Sequence, residues 1–209
     1  MVAMLDKPGL ALTIIFGMTI FLLGGFSYLV LIFIFLFLSV LATKYGYYEK
    51  KDMGIYEHDR SWENVLSNGL VPTLAVIVGF FLGWGPLPYV CAIAAIMADK
   101  FASELGVLGG DPISLDGFKH VKPGTSGAIS VTGTIMSLAG SAAIGIAALF
   151  LFGLTPTTAL LIALAGFAGG VVDTLVGVFE EKGFGSKGIT NMICSIVGVA
   201  IGLMIQGGL

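Results

Sequence analysis

Long apolar runs separated by short polar breaks make up most of the chain, and the length of those runs sets its class. An α-helix rises about 1.5 Å per residue, so crossing the hydrocarbon core of a bilayer takes roughly 17–25 residues. The runs predict seven such helices, at about residues 9–24, 26–44, 66–83, 87–104, 128–152, 156–178 and 189–206. The breaks have local causes. Gly24-Gly25 suits a tight turn, Pro86 and Pro88 forbid continuous helix, and Gly153 with Pro156 separates the fifth run from the sixth. Thr155 can cap the sixth helix, with Pro156 at its first position. Read instead as one tilted helix, residues 9–44 give six spans and carry Lys7 to the opposite side. The expected fold is an all-α, polytopic helical membrane bundle, a single transmembrane domain over residues 1–209.

Charge then orients the bundle. All ten Lys and Arg residues fit on one side of the membrane. They occupy the connections at about 45–65, 105–127 and 179–188, the adjoining helix ends and the N-terminal segment. The uncharged turns Gly24-Gly25, Trp84-Gly85-Pro86-Leu87-Pro88 and Gly153-Leu154-Thr155-Pro156, with the tail from Gln206, fall on the other side. Positive segments resist translocation, so the N-terminus and the polar connections are expected in the cytoplasm and the protein in the cell membrane. The first connection, with Lys50, Lys51, Asp52, Glu57, His58, Asp59, Arg60 and Glu63, reads as a solvated linker.

Composition excludes a soluble domain, which would carry about 25% charged residues. This chain of 209 residues is 11% charged and 56% hydrophobic, with net charge −3. No basic arm or stripe points to nucleic acid. Gly-x-x-x-Gly pairs at Gly79/Gly83, Gly166/Gly170 and Gly198/Gly202 suit close helix packing, and their faces permit a homodimer. Cys91 and Cys194 sit inside apolar runs as small hydrophobes. A cleaved signal peptide is not expected, because the first apolar stretch far exceeds the roughly 7–15-residue core of such signals.

Candidate chemistry gathers at the charged ends of the helices. Asp173 lies inside the sixth helix, where an unpaired acid costs about 3 kcal/mol and so marks a functional candidate. Gly166, Gly170, Asp173 and Gly177 form one stripe that lets a helix or ligand approach the carboxylate. Asp99 and Glu104 close the fourth helix, although Glu104 is turned roughly 140° from Asp99 and also suits pairing with Lys100. The segment Lys122-Pro123-Gly124-Thr125-Ser126-Gly127-Ala128-Ile129-Ser130 leads into the fifth helix. Its backbone N–H groups, Lys122 and the hydroxyls of Thr125, Ser126 and Ser130 suit a phosphate, or Thr125 or Ser126 simply caps the helix. It is not a Walker A loop, which needs Gly-Lys-Ser/Thr in that order. Asn64 and Asn68 open the third helix and Asn191 the seventh, as caps or as part of one shared pocket. Carboxylates beside a phosphate-binding turn are the combination that holds Mg²⁺ with a nucleotide.

At these residues the chain resembles a known family. Asp99-(x)3-Ser103-Glu104-Leu105-Gly106, then Lys122 through Ser130 with Gly133-Thr134, then Asp173-Thr174-(x)2-Gly177 follow in order the pattern of transmembrane protein 19 and the plant and cyanobacterial phytyl-phosphate kinases. Asn64-(x)3-Asn68-Gly69 and Thr190-Asn191 are similar to it as well, so the match covers roughly residues 60–200. One position departs from it, with Asp99-Lys100 where that family usually has Asp-Thr. The resemblance implies an enzyme that phosphorylates an isoprenoid monophosphate to the diphosphate with CTP as donor. Asp99, Glu104 and Asp173 would then hold Mg²⁺ or position the acceptor. Such transfer needs alignment and charge neutralisation rather than a Cys or His nucleophile. Cytidylyl transfer to give a CDP-lipid, and ion-coupled transport through Asp173, are the rival readings.

Overall fold

The computed structural model describes residues 5–56 and 61–208. Glu57, His58, Asp59 and Arg60 of the first connection lie outside the described residues. The long helices are α1 (Lys7–Gly24), α2 (Phe26–Lys44), α4 (Trp62–Leu82), α5 (Leu87–Leu105), α6 (Val131–Phe152), α7 (Pro156–Glu181) and α8 (Lys187–Gly208), with a short α3 (Tyr47–Asp52) after α2. A small antiparallel ribbon of β1 (Ile113–Ser114) and β2 (Ala128–Ile129) sits between α5 and α6.

Six of these helices are long and apolar enough to cross a membrane. The exception is α5, whose last turns carry Asp99, Lys100 and Glu104. It is nevertheless the centre of the bundle. Every residue from Leu87 to Ala98 is buried, as expected of a helix apolar on all sides and enclosed by others. Helices α2, α4, α6, α7 and α8 pack around it, while α1 leans on α4 from outside.

Glycine makes that enclosure possible. A Cβ on Gly198 would stand 2.5 Å from the Cys91 carbonyl oxygen, and one on Gly202 2.6 Å from that of Leu87. Gly166 meets Ala94 of α5 and Ser141 of α6 in the same way. Two of the three Gly-x-x-x-Gly faces are therefore filled within the chain and are not free for a second copy. Overpacking of this kind costs about 1–3 kcal/mol. Gly198→Ala is expected to lower the melting temperature by several degrees in a thermal scan, with the Gly207→Ala control unchanged.

Several boundaries differ from the sequence expectation, each for a local reason. Residues 9–44 are not one helix, because Gly25 has φ +90° and a Cβ on Gly24 would strike the Tyr28 ring. Helix α1 begins at Lys7, capped by Asp6, whose carboxylate accepts from the Gly9 N–H at 2.7 Å. Thr155 caps α7 as expected, accepting from the Thr158 N–H at 3.1 Å. Helix α6 starts at Val131 rather than 128, because Ala128 and Ile129 pair with Ser114 and Ile113. Its cap is consequently Ser130, not Thr125 or Ser126. Helix α4 extends back to Trp62, and α7 and α8 shorten the last connection to residues 182–186.

Candidate functional site

Close approach of α7 to α5 and α6 builds the centre of the site. A Cβ on Gly169 would lie 2.5 Å from the Ala95 Cβ, and one on Gly170 3.2 Å from the Ala98 Cβ and 2.9 Å from Ser137 Oγ. One turn further along, Asp173 therefore arrives beside Asp99 of α5. Its carboxyl also neighbours Thr190 of α8 and feels the charge of Lys187. Its Oδ1 is buried with no hydrogen-bond partner. Two adjoining carboxylates in a poorly solvated place repel unless a proton or cation lies between them. The small-residue stripe thus serves packing, and packing delivers the acid pair.

Glu104 does something else. Its carboxylate accepts from Thr43 Oγ1 at 2.8 Å, Lys50 Nζ at 3.0 Å and Lys100 Nζ at 2.6 Å. Lys50 also donates to the carbonyls of Ala42 and Thr43, at 2.8 and 3.1 Å. That lysine, expected in a solvated linker, is only 1% exposed. It fastens the end of α2 to the end of α5. With both oxygens engaged by three donors, Glu104 is a clamp and not a third partner of Asp99 and Asp173. Among the described residues no three His, Cys, Asp or Glu side chains gather into a metal-holding group.

The acid pair opens into a cavity of about 690 Å³. Pro123, Gly124, Thr125, Ser126, Gly127 and Ser130 border it together with Asp99, Ser103, Glu104 and Asp173. The turn is stiff. Thr125 Oγ1 donates to the Lys122 carbonyl at 2.8 Å, and Ser126 Oγ donates to Glu180 at 3.2 Å. Gly124 and Gly127 have φ of +88° and +71°, left-handed values that favour glycine. Gly127 also lies flat against Gly177 of α7, whose Cβ would stand 2.7 Å from the Gly127 nitrogen. Ser130 accepts from the Gly133 N–H at 3.0 Å. Lys122 is exposed and does not border the cavity, contrary to expectation.

Residues 1–198 match the family described as integral membrane protein DUF92. The chain belongs to that family. The uncharacterized membrane protein MJ0933 of Methanocaldococcus jannaschii is 38% identical over 208 residues, covering 96% of this chain and 85% of the relative. Protein PGR of Arabidopsis thaliana is 30% identical over 200 residues, with 80% and 69% covered. The chloroplastic protein VTE6 of the same plant is 22% identical over 212 residues, with 96% and 64% covered. No solved structure matches the chain.

In this DUF92 protein the asparagines stand apart from the cavity. Asn191 Nδ2 donates to Asn68 Oδ1 at 3.3 Å, and Asn68 Nδ2 donates to the Asn64 carbonyl at 2.8 Å. The first contact joins α4 to α8 and the second lies within α4, and none of Asn64, Asn68 and Asn191 borders the cavity. The shared-pocket reading therefore does not extend to the asparagines, while α5, α6, α7 and α8 all contribute to the cavity wall. Sequence reasoning missed Ser137 and Lys187 and met Thr190 only within the family resemblance, although all three lie on the cavity wall. Ser137 carried a signal, since Ser130, Thr134, Ser137 and Ser141 recur on one face of α6 at helical spacing.

Proposed function

We propose that this DUF92 protein is a CTP-dependent kinase that converts an isoprenoid monophosphate, of phytyl, geranylgeranyl or polyprenyl type, into the diphosphate. The reading rests on the Asp99–Asp173 pair opening into the same cavity as the glycine turn at 123–130. Its motif order resembles that of the phytyl-phosphate kinases, and that resemblance supports the substrate class. The acid pair also fits a cation, since an orphaned buried oxygen beside a second carboxylate is what Mg²⁺ takes together with phosphate oxygens. Glu104, already saturated with donors, does not belong to that set.

In this mechanism a phosphate oxygen of the acceptor attacks the γ-phosphorus of CTP. The new P–O bond forms as the bond to the β,γ-bridging oxygen breaks, and CDP leaves with that electron pair. The attacking oxygen is already ionised, so no residue has to remove a proton. Bound Mg²⁺ would supply charge neutralisation across the reacting phosphates. Asp99 and Asp173 would hold that charge in place, Lys187 would offset negative charge beside Asp173, and the glycine turn at 123–130 would receive the nucleotide phosphates. The bundle sits in this proposal with its charged end in the cytosol.

Purified protein in detergent, given γ-labelled CTP, Mg²⁺ and geranylgeranyl phosphate, is expected to release labelled geranylgeranyl diphosphate and CDP. Pyrophosphate release would instead mark cytidylyl transfer. Absence of any product with CTP, ATP, GTP and UTP would overturn the kinase reading.

A further inference from the structure

The cavity is not a closed polar chamber. Helix α7 turns about 100° per residue, so Asp173 and Leu175 project about 160° apart. Both border the same space, with Thr174 between them. Val171 and Leu175 are 43% and 52% exposed, and they lie on a helix long and apolar enough to cross the membrane. Both line the cavity and remain exposed, so the space wraps around α7 from the buried acid to an exposed apolar face of a membrane-length helix.

Its depth has the same sense. Phe167 borders the cavity six residues before Asp173, about 9 Å further from the charged end of α7. Across the seam, Ser137 of α6 lines the floor against Gly170. Four residues further on, Ser141 and Gly166 are in direct contact, and a Cβ on Gly166 would stand 2.7 Å from that of Ser141. Helices α6 and α7 thus stay in contact from Ser141–Gly166 to Ser137–Gly170, and the cavity floor lies along the second of these contacts. The part of the cavity wall along this seam carries small or apolar side chains, Ser137, Gly170, Phe167 and Val171. A chain leaving Asp173 by this route passes from paired carboxylates to hydrocarbon within two helical turns.

We propose that the acceptor's apolar tail leaves the site sideways through the seam between α6 and α7, over Ser137 and Gly170 and along Phe167 and Val171. This rests on the lipid-phosphate reading above and adds where the lipid enters and which residues grade its tail. The phosphate end stays beside Asp99 and Asp173 while the tail remains in the bilayer throughout, so the substrate never has to be extracted.

The full-length protein in nanodiscs can be irradiated with a geranylgeranyl monophosphate analogue carrying a diazirine on its second isoprene unit, and the adducts mapped by mass spectrometry. The expected adducts fall on Ser137, Phe167 or Val171 and are competed by unlabelled geranylgeranyl phosphate. Val171→Trp, which fills the mouth, is expected to reduce them at least 10-fold. Leu160→Trp, on the lipid-facing surface near the other end of α7, is expected to leave them unchanged. Competed adducts on α2, α4 or α8, or adducts that competition does not remove, would overturn the seam. Competed seam adducts without phosphoryl transfer from any nucleotide would keep the tail route and remove the kinase reading, so the two failures are distinguishable.

Discussion

Asp173→Asn is expected to abolish phosphoryl transfer, by about 10³-fold or more, and at the same time to make the protein more resistant to heat. The two effects share one cause. Asp173 lies beside Asp99, with its Oδ1 buried and unpartnered, so the pair destabilises the protein when no cation is bound. An amide keeps the shape, removes the like-charge repulsion and can donate toward Asp99. In chelator-containing buffer the melting temperature should rise by about 2–4 °C, the equivalent of ~1 kcal/mol for a chain of this size. Adding Mg²⁺ and CTP should reverse the order. Ligand bound only by the folded protein stabilises it by mass action, and the variant loses that gain. Turnover by Asp173→Asn near the wild-type rate would remove the acid from the mechanism. A variant inactive only because it unfolds would show a lowered melting temperature instead.

Lys50→Met should do the reverse, costing stability first. The buried ammonium holds the Ala42 and Thr43 carbonyls and one oxygen of Glu104. Methionine preserves the stem and removes all three bonds. Breaking one partner of a buried ion pair costs about 3–5 kcal/mol. A fall of about 10 °C in the melting temperature follows for a protein of this length. Adding Glu104→Gln should cost less than the sum of the two single changes, because the residues share the same contacts. Additive losses in that double-mutant cycle would show that the clamp is not a unit. Since this pair fastens helix ends and lies outside the proposed cation set, residual activity in the folded fraction should persist.

Much of the fold was legible because the bilayer imposes its own ruler. Apolar runs of membrane length marked the long helices, and Gly25, Pro86 and Thr155 marked breaks between them. What stayed hidden depended on contacts distant in sequence. Ala128 and Ile129 looked like the start of a helix, and only their pairing with Ser114 and Ile113 makes them strand and moves the cap to Ser130. Lys50 looked solvated because its acceptors, the end of α2 and Glu104, come together only through the packing of α2 on α5. The pairing of Asp99 with Asp173 was approachable in advance, since a depth-placed acid on a glycine stripe has to meet something. That Glu104 would not join them was half written in its roughly 140° offset from Asp99. The asparagines misled for a different reason. Polar residues at helix ends satisfy one another as readily as they bind a ligand, and spacing alone does not say which.

The most direct measurement of the central claim replaces Mg²⁺ with Mn²⁺ and follows its binding by electron paramagnetic resonance, with and without CTP. If Asp99 and Asp173 form the cation–phosphate site, the wild-type protein should bind Mn²⁺ at a single tight site in the presence of CTP. Asp99→Asn and Asp173→Asn should each weaken that site at least 100-fold, and Glu104→Gln should retain it. Equal Mn²⁺ binding by wild type and Asp173→Asn, or loss of binding on Glu104→Gln alone, would contradict the account.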